Sequence, residues 1–273
     1  MALAASDSEF LRQQVRARSG IVLGEDKGYL LESRLLPLAK TIGLTGLDAL
    51  TVRLRAEPAG QLSRQVVEAM TTNETFFFRD IHPFECLKKL VLPDLVAKRA
   101  AGRRLDLWCA AASTGQEPYT IAMTMRENFP QIATWATRFI ATDIASEVLK
   151  RARDGRYSQL EVNRGLPAPM LIKNFTKEGL DWKIKDELKR MIEFKELNLL
   201  EPFPISGQLD VIFIRNVLIY FDVETKKSIL AKCRKLLRPD GYLFLGGAET
   251  TLNIDEAFVR VEFDKGGCYR LKG

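Results

Sequence analysis

The sequence predicts an α/β protein in which a small all-helical domain precedes a doubly wound, mostly parallel sheet. Three observations carry this reading. Residues 1–72 show only helical periodicity; after residue 100, short buried-strand runs alternate with helical stretches. The chain then closes on two apolar runs either side of Asp264-Lys265-Gly266-Gly267, a hairpin by its turn residues. With 46% hydrophobic and 28% charged residues over 273 positions, the chain has the composition of a globular protein with a sizeable core.

In the helical part, Ser6 is placed to cap a first helix with Glu9 in the capping-box position, and Phe10, Leu11 and Val15 supply its apolar face. Asp26 is placed to cap a second helix, in which Tyr29, Leu30, Leu31, Leu35 and Leu38 recur at helical spacing and which Gly43 ends. Further helices are expected over 46–56 and 60–71, with Pro58 between them. Nine Lys/Arg against eight Asp/Glu leave residues 1–72 nearly neutral, so Arg12, Arg16 and Arg34 read first as a solvated surface and only second as a docking face.

Leu105–Cys109 reads as a buried strand that runs into the small-residue loop Ala110-Ala111-Ala112-Ser113-Thr114-Gly115. A helix opens at Gln116, with Pro118 in its first turn, where the missing N–H costs nothing. A second strand, Arg138–Thr142, ends at Asp143 and is followed by a helix over 145–153. Strands are expected at 192–197, 209–214 and 242–245, with a helix at 223–237. Residues 150–195 fit the alternation poorly. With twelve Lys/Arg and seven Asp/Glu they hold most of the chain's formal charge of +6, and they read as an insertion of strands and loop with bounds at about 154–192. The resulting division is 1–72 for the helical domain and 73–273 for the sheet domain.

Ligands of open parallel sheets bind beyond the carboxyl ends of the strands. There the first strand offers a glycine-containing loop and a helix start, where N–H groups meet an anion, and the second offers Asp143, placed to accept from ribose hydroxyls. Together they describe a nucleoside-containing cofactor. Gly115 alone does not make G-x-G-x-x-G, and neither G-x-x-x-x-G-K-[ST] nor G-x-S-x-G occurs. NAD, P-loop nucleotides and the common serine hydrolases therefore lose ground. What remains among the large users of this architecture is the S-adenosylmethionine-dependent methyltransferases, whose sheet ends in a reversed hairpin; Leu237–Leu243 resembles the turn into their fifth strand. Four scattered cysteines and the single histidine, His82, make neither a disulfide framework nor a metal site of the Cys/His type, so no metal is expected. Reduced thiols, an N-terminus that turns acidic early and the lack of ~18 consecutive apolar residues point to a cytoplasmic protein without membrane insertion. The positive charge invites nucleic acid, but where amino-methylating enzymes of that class keep Asn/Asp-Pro-Pro-Tyr/Phe this chain has Asn216-Val217-Leu218-Ile219-Tyr220. No nucleic-acid partner is expected.

Five segments carry a more specific resemblance: Thr72-Asn73-Glu74-Thr75-Phe76-Phe77-Phe78-Arg79-Asp80, Ala110 to Tyr119, Ala141-Thr142-Asp143-Ile144, Asn198-Leu199-Leu200 and Arg215-Asn216-Val217-Leu218-Ile219-Tyr220-Phe221. In this order they resemble the motifs of the CheR chemotaxis methyltransferases, which methylate glutamates of bacterial chemoreceptors. The resemblance covers nearly the whole chain. It implies a Rossmann-like S-adenosylmethionine-dependent methyltransferase domain with an inserted small β-subdomain, and a monomer recruited to membrane-bound receptor clusters. It further implies that Asn73, Thr75, Arg79, Glu117, Asp143, Asn198, Leu199, Arg215 and Asn216 line the cofactor site, with S-adenosylhomocysteine as product. Asp143 would take the ribose hydroxyls, Asn198 and Leu199 the adenine edge and face, and Glu117 the methionine ammonium group. Arg79 and Tyr220 would face the methyl group and the incoming substrate in positioning roles. The basic face that the family's second helix turns to the receptor is reduced here to Arg34 and Lys40 at its ends. A glutamate of reference pKa near 4.3 is already an anion at pH 7, so no general base is needed and His82 reads as structural. Phe76-Phe77-Phe78 read as core for at least two of the three rings.

Overall fold

The computed structural model describes residues 3–273; Met1 and Ala2, the first residues of the opening segment read above, lie outside them. Four helices, α1 (Ala5–Ser19), α2 (Gly28–Thr41), α3 (Leu47–Ala56) and α4 (Gln61–Met70), pack around Leu11, Val15, Leu31, Leu35, Leu50, Leu54, Val66 and Met70. Both expected caps are corrected. Helix α1 starts before Ser6, with Ala4 at its N-cap and no side-chain cap, because the Glu9 carboxylate is taken by Arg12 at 2.5 Å and Gln13 at 2.7 Å. Asp26 lies within a 3₁₀ turn, Glu25–Lys27, and α2 begins only at Gly28. Gly43 does end α2: its φ of 78° lets the Leu44 N–H fold back to the Ala39 carbonyl at 2.8 Å.

Residues 82–99, for which the sequence reading assigns no element, form α5 (His82–Cys86), a π-helical turn (Leu87–Val91) and α6 (Leu92–Arg99). The strands are β1 (Arg104–Ala110), β2 (Ala136–Asp143), β3 (Arg156–Ser158), β4 (Phe175–Glu178), β5 (Asp181–Ile184), β6 (Glu193–Glu196), β7 (Leu209–Ile214), β8 (Leu237–Leu245), β9 (Phe258–Phe263) and β10 (Gly266–Leu271). The large sheet runs β6-β2-β1-β7-β8-β10-β9, parallel from β6 to β8, with β10 antiparallel to both of its neighbours. Strand β8 starts earlier than expected. The Arg238-Pro239-Asp240-Gly241 stretch, read as a turn, is a bulge within it: Leu209 pairs Leu237, yet Val211 already pairs Tyr242.

Side chains of β1, and of β7 from Val211 onward, alternate between the two faces. Leu107, Cys109, Val211 and Phe213 enter one core, and Trp108, Ala110, Ile212 and Ile214 enter the other. Helix α7 (Gln116–Asn128) covers the first face and α12 (Val223–Leu236) the second, so the central strands are buried on both sides. Between α8 (Ser146–Asp154) and β6 the chain forms the antiparallel sheet β3-β5-β4 and three short helices, α9 (Gln159–Asn163), α10 (Ala168–Asn174) and α11 (Asp186–Lys189), more helix than the expected strands and loop. This sheet is docked rather than free. Phe77 sits edge-on to Tyr157 at 5.1 Å and Phe175 at 5.6 Å, and the Tyr157 hydroxyl donates to the Thr114 carbonyl at 2.8 Å. Phe77 is fully buried, Phe78 packs on the same core, and Phe76 stays half-exposed beneath Arg164.

At the amino end of the sheet, the buried Asp210 accepts from the Asp106 backbone N–H at 2.8 Å and from Arg99 Nε at 2.7 Å, and pairs with Arg238 at 3.2 Å. Removing that carboxylate strands an interior N–H and takes one of two carboxylate partners from each of Arg99, which keeps Asp240, and Arg238, which keeps Asp106. Asp210→Ala should therefore cost about 3–5 kcal/mol in urea unfolding, and a loss below about 1 kcal/mol would contradict this role.

The helical domain is tied to the other end of the sheet. Asp222 caps α12 by accepting the Thr225 N–H at 2.8 Å, and its other oxygen takes Arg16 of α1 at 2.7 Å. The Thr225 bonds, then Arg16, lower its carboxyl to about 2, below the ~3.9 of an unfolded aspartate. A lowered folded-state value gives a contribution present above pH ~4 and lost as pH falls through about 2. A carbon-detected NMR titration should place the Asp222 midpoint near 2. A midpoint near the unperturbed ~3.9 would mean that these bonds do not persist in solution.

Candidate active site

The sheet reverses its winding between β1 and β7, and the loops beyond their carboxyl ends line a cleft that is partly open to solvent. Asn73, Thr75, Arg79, Glu117, Asp143, Asn198, Leu199, Arg215, Asn216 and Tyr220 all line it. The structure thus brings together every residue singled out in the sequence for the cofactor and for the methyl group, whereas Arg34 and Lys40 of the second helix lie outside the cleft.

Asp143 ends β2 and is buried. Its two oxygens accept the Ser113 N–H at 2.8 Å and the Ala145 N–H at 3.0 Å, which leaves lone pairs on both for hydroxyl donors. Burial pushes its carboxyl above the usual range, against the downward pull of the Ala145, Ser113 and Ile144 amides. The loop after β1 bends through positive φ at Ala111 (52°) and Ser113 (49°), which aims the Ser113 amide at Asp143. The Ser113 hydroxyl meanwhile donates to the Asn73 carbonyl at 2.7 Å, joining this loop to the segment entering from the helical domain.

Opposite lies a buried ion cluster. Arg215, just past β7, donates from Nη1 to the Glu117 carboxylate and from Nη2 to Asp80 at 2.8 Å and to the Arg79 carbonyl at 3.1 Å. Its Nε has no hydrogen-bond partner among the described residues, although the side chain is wholly inaccessible to water. Glu117 also accepts from the Cys109 thiol at 3.4 Å; burial, with the Glu117 charge second, raises that thiol well above its ordinary value. The Arg79 guanidinium is held by the Glu74 carbonyl at 2.9 Å and lies 5.7 Å from the Phe76 ring.

On the remaining side, Asn198 donates to the Arg18 carbonyl at 2.7 Å and accepts the Leu200 N–H at 3.0 Å, so one N–H and one lone pair of its amide remain for a ligand. Lys232 fixes the backbone there, donating to the carbonyls of Leu199 at 2.5 Å, Leu200 at 3.1 Å and Glu201 at 2.9 Å; burial lowers its ammonium group below the usual lysine range. Taken together, a buried carboxylate with free lone pairs, an ion cluster holding an unpartnered Arg215 Nε, and a partly free asparagine amide suit a ligand with a ribose diol, an amino-acid tail and a base edge. The chain's residues therefore fit S-adenosylmethionine.

Several contributors were not singled out in the sequence. Ser19 and Ile21, at the end of α1 and just beyond, form part of the cleft wall, and the Val22 N–H donates to the Tyr220 carbonyl at 2.9 Å. Asp80 lies inside a quoted motif but was given no role. Glu249, which accepts four backbone N–H groups, follows the strand end Leu245-Gly246-Gly247, where a carboxylate after paired glycines was the available signal. Arg34, Arg12 and Arg16 are engaged within the chain. Arg34 donates to the Met70 and Thr71 carbonyls at 2.7 and 3.0 Å, while Arg12 pairs with Glu9 and Arg16 with Asp222. His82 packs against the β9–β10 turn at Gly266, outside the cleft. Among the described residues no three His, Cys, Asp or Glu side chains form a group suited to a metal ion, and no helix is long and apolar enough to cross a membrane.

Comparison with known proteins identifies two family domains in this chain. Residues 6–71 match "CheR methyltransferase, all-alpha domain" and residues 73–266 match "CheR methyltransferase, SAM binding domain". The chain is 40% identical over 271 residues to the chemotaxis protein methyltransferase Cher2 of Pseudomonas putida, covering 97% of this chain and 98% of that one. It is 40% identical over 277 residues to chemotaxis protein methyltransferase 1 of Pseudomonas aeruginosa, covering 100% of both. It is 36% identical over 265 residues to the chemotaxis protein methyltransferase of Escherichia coli, covering 94% of this chain and 89% of that one. With both domains present in order and relatives aligned end to end, this chain belongs to the S-adenosylmethionine-binding CheR methyltransferase family.

Proposed function

We propose that this protein transfers the methyl group of S-adenosylmethionine to glutamate side-chain carboxylates of chemoreceptors, giving glutamate methyl esters and S-adenosylhomocysteine, and so serves sensory adaptation in chemotaxis. One observation carries the reading: Asp143, the Glu117–Arg215 pair, Asn198–Leu199 and the Arg79–Tyr220 pair converge on one cleft, in a member of this family. The relatives' shared description as chemotaxis protein methyltransferases supports the choice of receptor as substrate.

When bound, the cofactor supplies an electrophilic methyl group on a positively charged sulfur. Asp143 holds the ribose hydroxyls on its free lone pairs, and Asn198 with Leu199 meets the edge and face of the adenine. Glu117 neutralises the ammonium group, and the unpartnered Nε of Arg215 serves the carboxylate end. Asn73 and Thr75 close the cleft from the segment leaving the helical domain, and Asn216 closes it from the β7 side. The attacking group is a carboxylate already ionised at pH 7, so the chain's task is to align and partly desolvate it rather than to remove a proton. Arg79 steers that carboxylate and the Tyr220 hydroxyl hydrogen-bonds it. In this reading the chain divides at residues 72 and 73, with the inserted subdomain at about 154–192. It acts as a cytoplasmic monomer on receptor cytoplasmic helices within membrane-bound clusters.

Transfer of radiolabelled methyl groups to a receptor cytoplasmic fragment, followed by mild base, tests this directly. Methyl esters hydrolyse there, so the expected result is volatile labelled methanol. Label that stays on the polymer after base would point to N-methylation and contradict the carboxylate acceptor.

A further inference from the structure

We propose that Glu249 is a positioning residue for methyl transfer, its carboxylate anchoring the loop Asn216–Tyr220 at the methyl end of the cleft. The assignment rests on the reading of Asn216 and Tyr220 given above. Glu249 does not line the cleft itself; it stands behind the loop, in a neighbouring hollow with Asp80 and His82. Its Oε2 accepts the N–H groups of Asn216 at 2.8 Å and Gly246 at 2.6 Å, and its Oε1 those of Val217 at 2.9 Å and Ile219 at 3.3 Å. A carboxylate has about four lone-pair sites, and here backbone amides take four. The group is therefore committed to holding the chain, in the manner of an anion in a nest of amides.

The loop needs such a hold. It leaves the sheet at Ile214, turns through Asn216 at φ 56° and makes one 3₁₀ turn, Leu218–Tyr220, before Asp222 caps α12. Asparagine adopts this left-handed conformation more readily than other non-glycine residues, and Glu249 fixes it by binding the amide of that very residue. Close approach is permitted by Gly246, where a Cβ would lie 2.7 Å from Glu249 Oε2 and 2.8 Å from the Asn216 nitrogen.

Two variants perturb the clamp from different sides. Glu249→Gln leaves one oxygen for the four amides and turns an NH₂ donor on the others; Gly246→Ala wedges the contact without altering charge. Each is compared with the wild type by calorimetric S-adenosylhomocysteine binding, by kcat and KM with a receptor fragment, and by hydrogen exchange of peptides spanning 215–221 in the free protein. The expected pattern is S-adenosylhomocysteine affinity within about threefold of wild type, kcat lower by on the order of 10²-fold, and loop exchange faster by about tenfold with the sheet unchanged. Rescue of kcat in Glu249→Asp above the Glu249→Gln level would accord with a charged anchor. Unchanged kcat despite faster exchange overturns the proposal, as does loop exchange equal to wild type, or a fall in product affinity matching the fall in kcat. Either variant that folds decides the question. A wild-type protein that leaves receptor fragments unlabelled contradicts the proposed function instead, and loop exchange then still decides whether Glu249 is the anchor.

Discussion

A guanidinium wholly withdrawn from water joins three separate pieces of the chain at the carboxyl end of the sheet. Arg215 reaches Glu117 on α7, Asp80 ahead of α5 and the Arg79 carbonyl, with its planar group 5.5 Å from the Phe84 ring. A buried cation is stable only when paired and hydrogen-bonded, so Arg215 holds the end of β7, the start of α7 and the 79–82 segment against one another. The three side chains carry a net charge of −1, the sign that suits the ammonium group of an amino-acid tail. The same contacts set the position of Arg79, which lies on the segment Arg215 grips.

Around that junction the fold keeps its charges at opposite ends of the sheet. Asp106 and Asp210 sit buried at the amino end, surrounded by Arg99, Arg104, Arg138 and Arg238, and serve to knit strands to α6. At the carboxyl end, Asp143, Glu117 and Arg215 line the cleft and keep capacity for a ligand. The helical domain completes the enclosure rather than merely preceding it. Ser19 and Ile21 form part of the wall, Arg16 reaches Asp222, and the Arg18 carbonyl receives the Asn198 amide. Substrate approach, cofactor enclosure and domain contact therefore involve the same few loops.

Much of this was legible in the sequence because it depends on short-range pattern. Strands buried on both faces read as largely apolar runs, as in Leu105–Cys109, and the carboxyl end of the second strand then pointed to Asp143, whereas Arg215 was reached only through the family resemblance. Gly43 was legible as a helix end because a left-handed residue is needed there. The caps at Ser6 and Asp26 misled because a capping pattern competes with other local partners, and Glu9 found Arg12 and Gln13. The opposite case is Ser158 with Glu161, a capping box that forms and opens α9 inside a segment read as strands and loop. What could not be read were partners remote in sequence. Asp80 meets Arg215 across 135 positions, Glu249 meets Asn216 across 33, and Arg34 turns inward to Met70 across 36.

The most direct test of the account is the affinity of S-adenosylhomocysteine for the Arg215→Lys protein, measured by calorimetry on material with wild-type near-ultraviolet circular dichroism. Lysine keeps the charge but presents a point rather than a fork, so it cannot serve Glu117, Asp80 and the Arg79 carbonyl together. The account predicts that affinity falls by about 10²-fold, the equivalent of about 2.7 kcal/mol. Affinity within about threefold of wild type would contradict it, because the junction would then be dispensable for the cleft it is said to build.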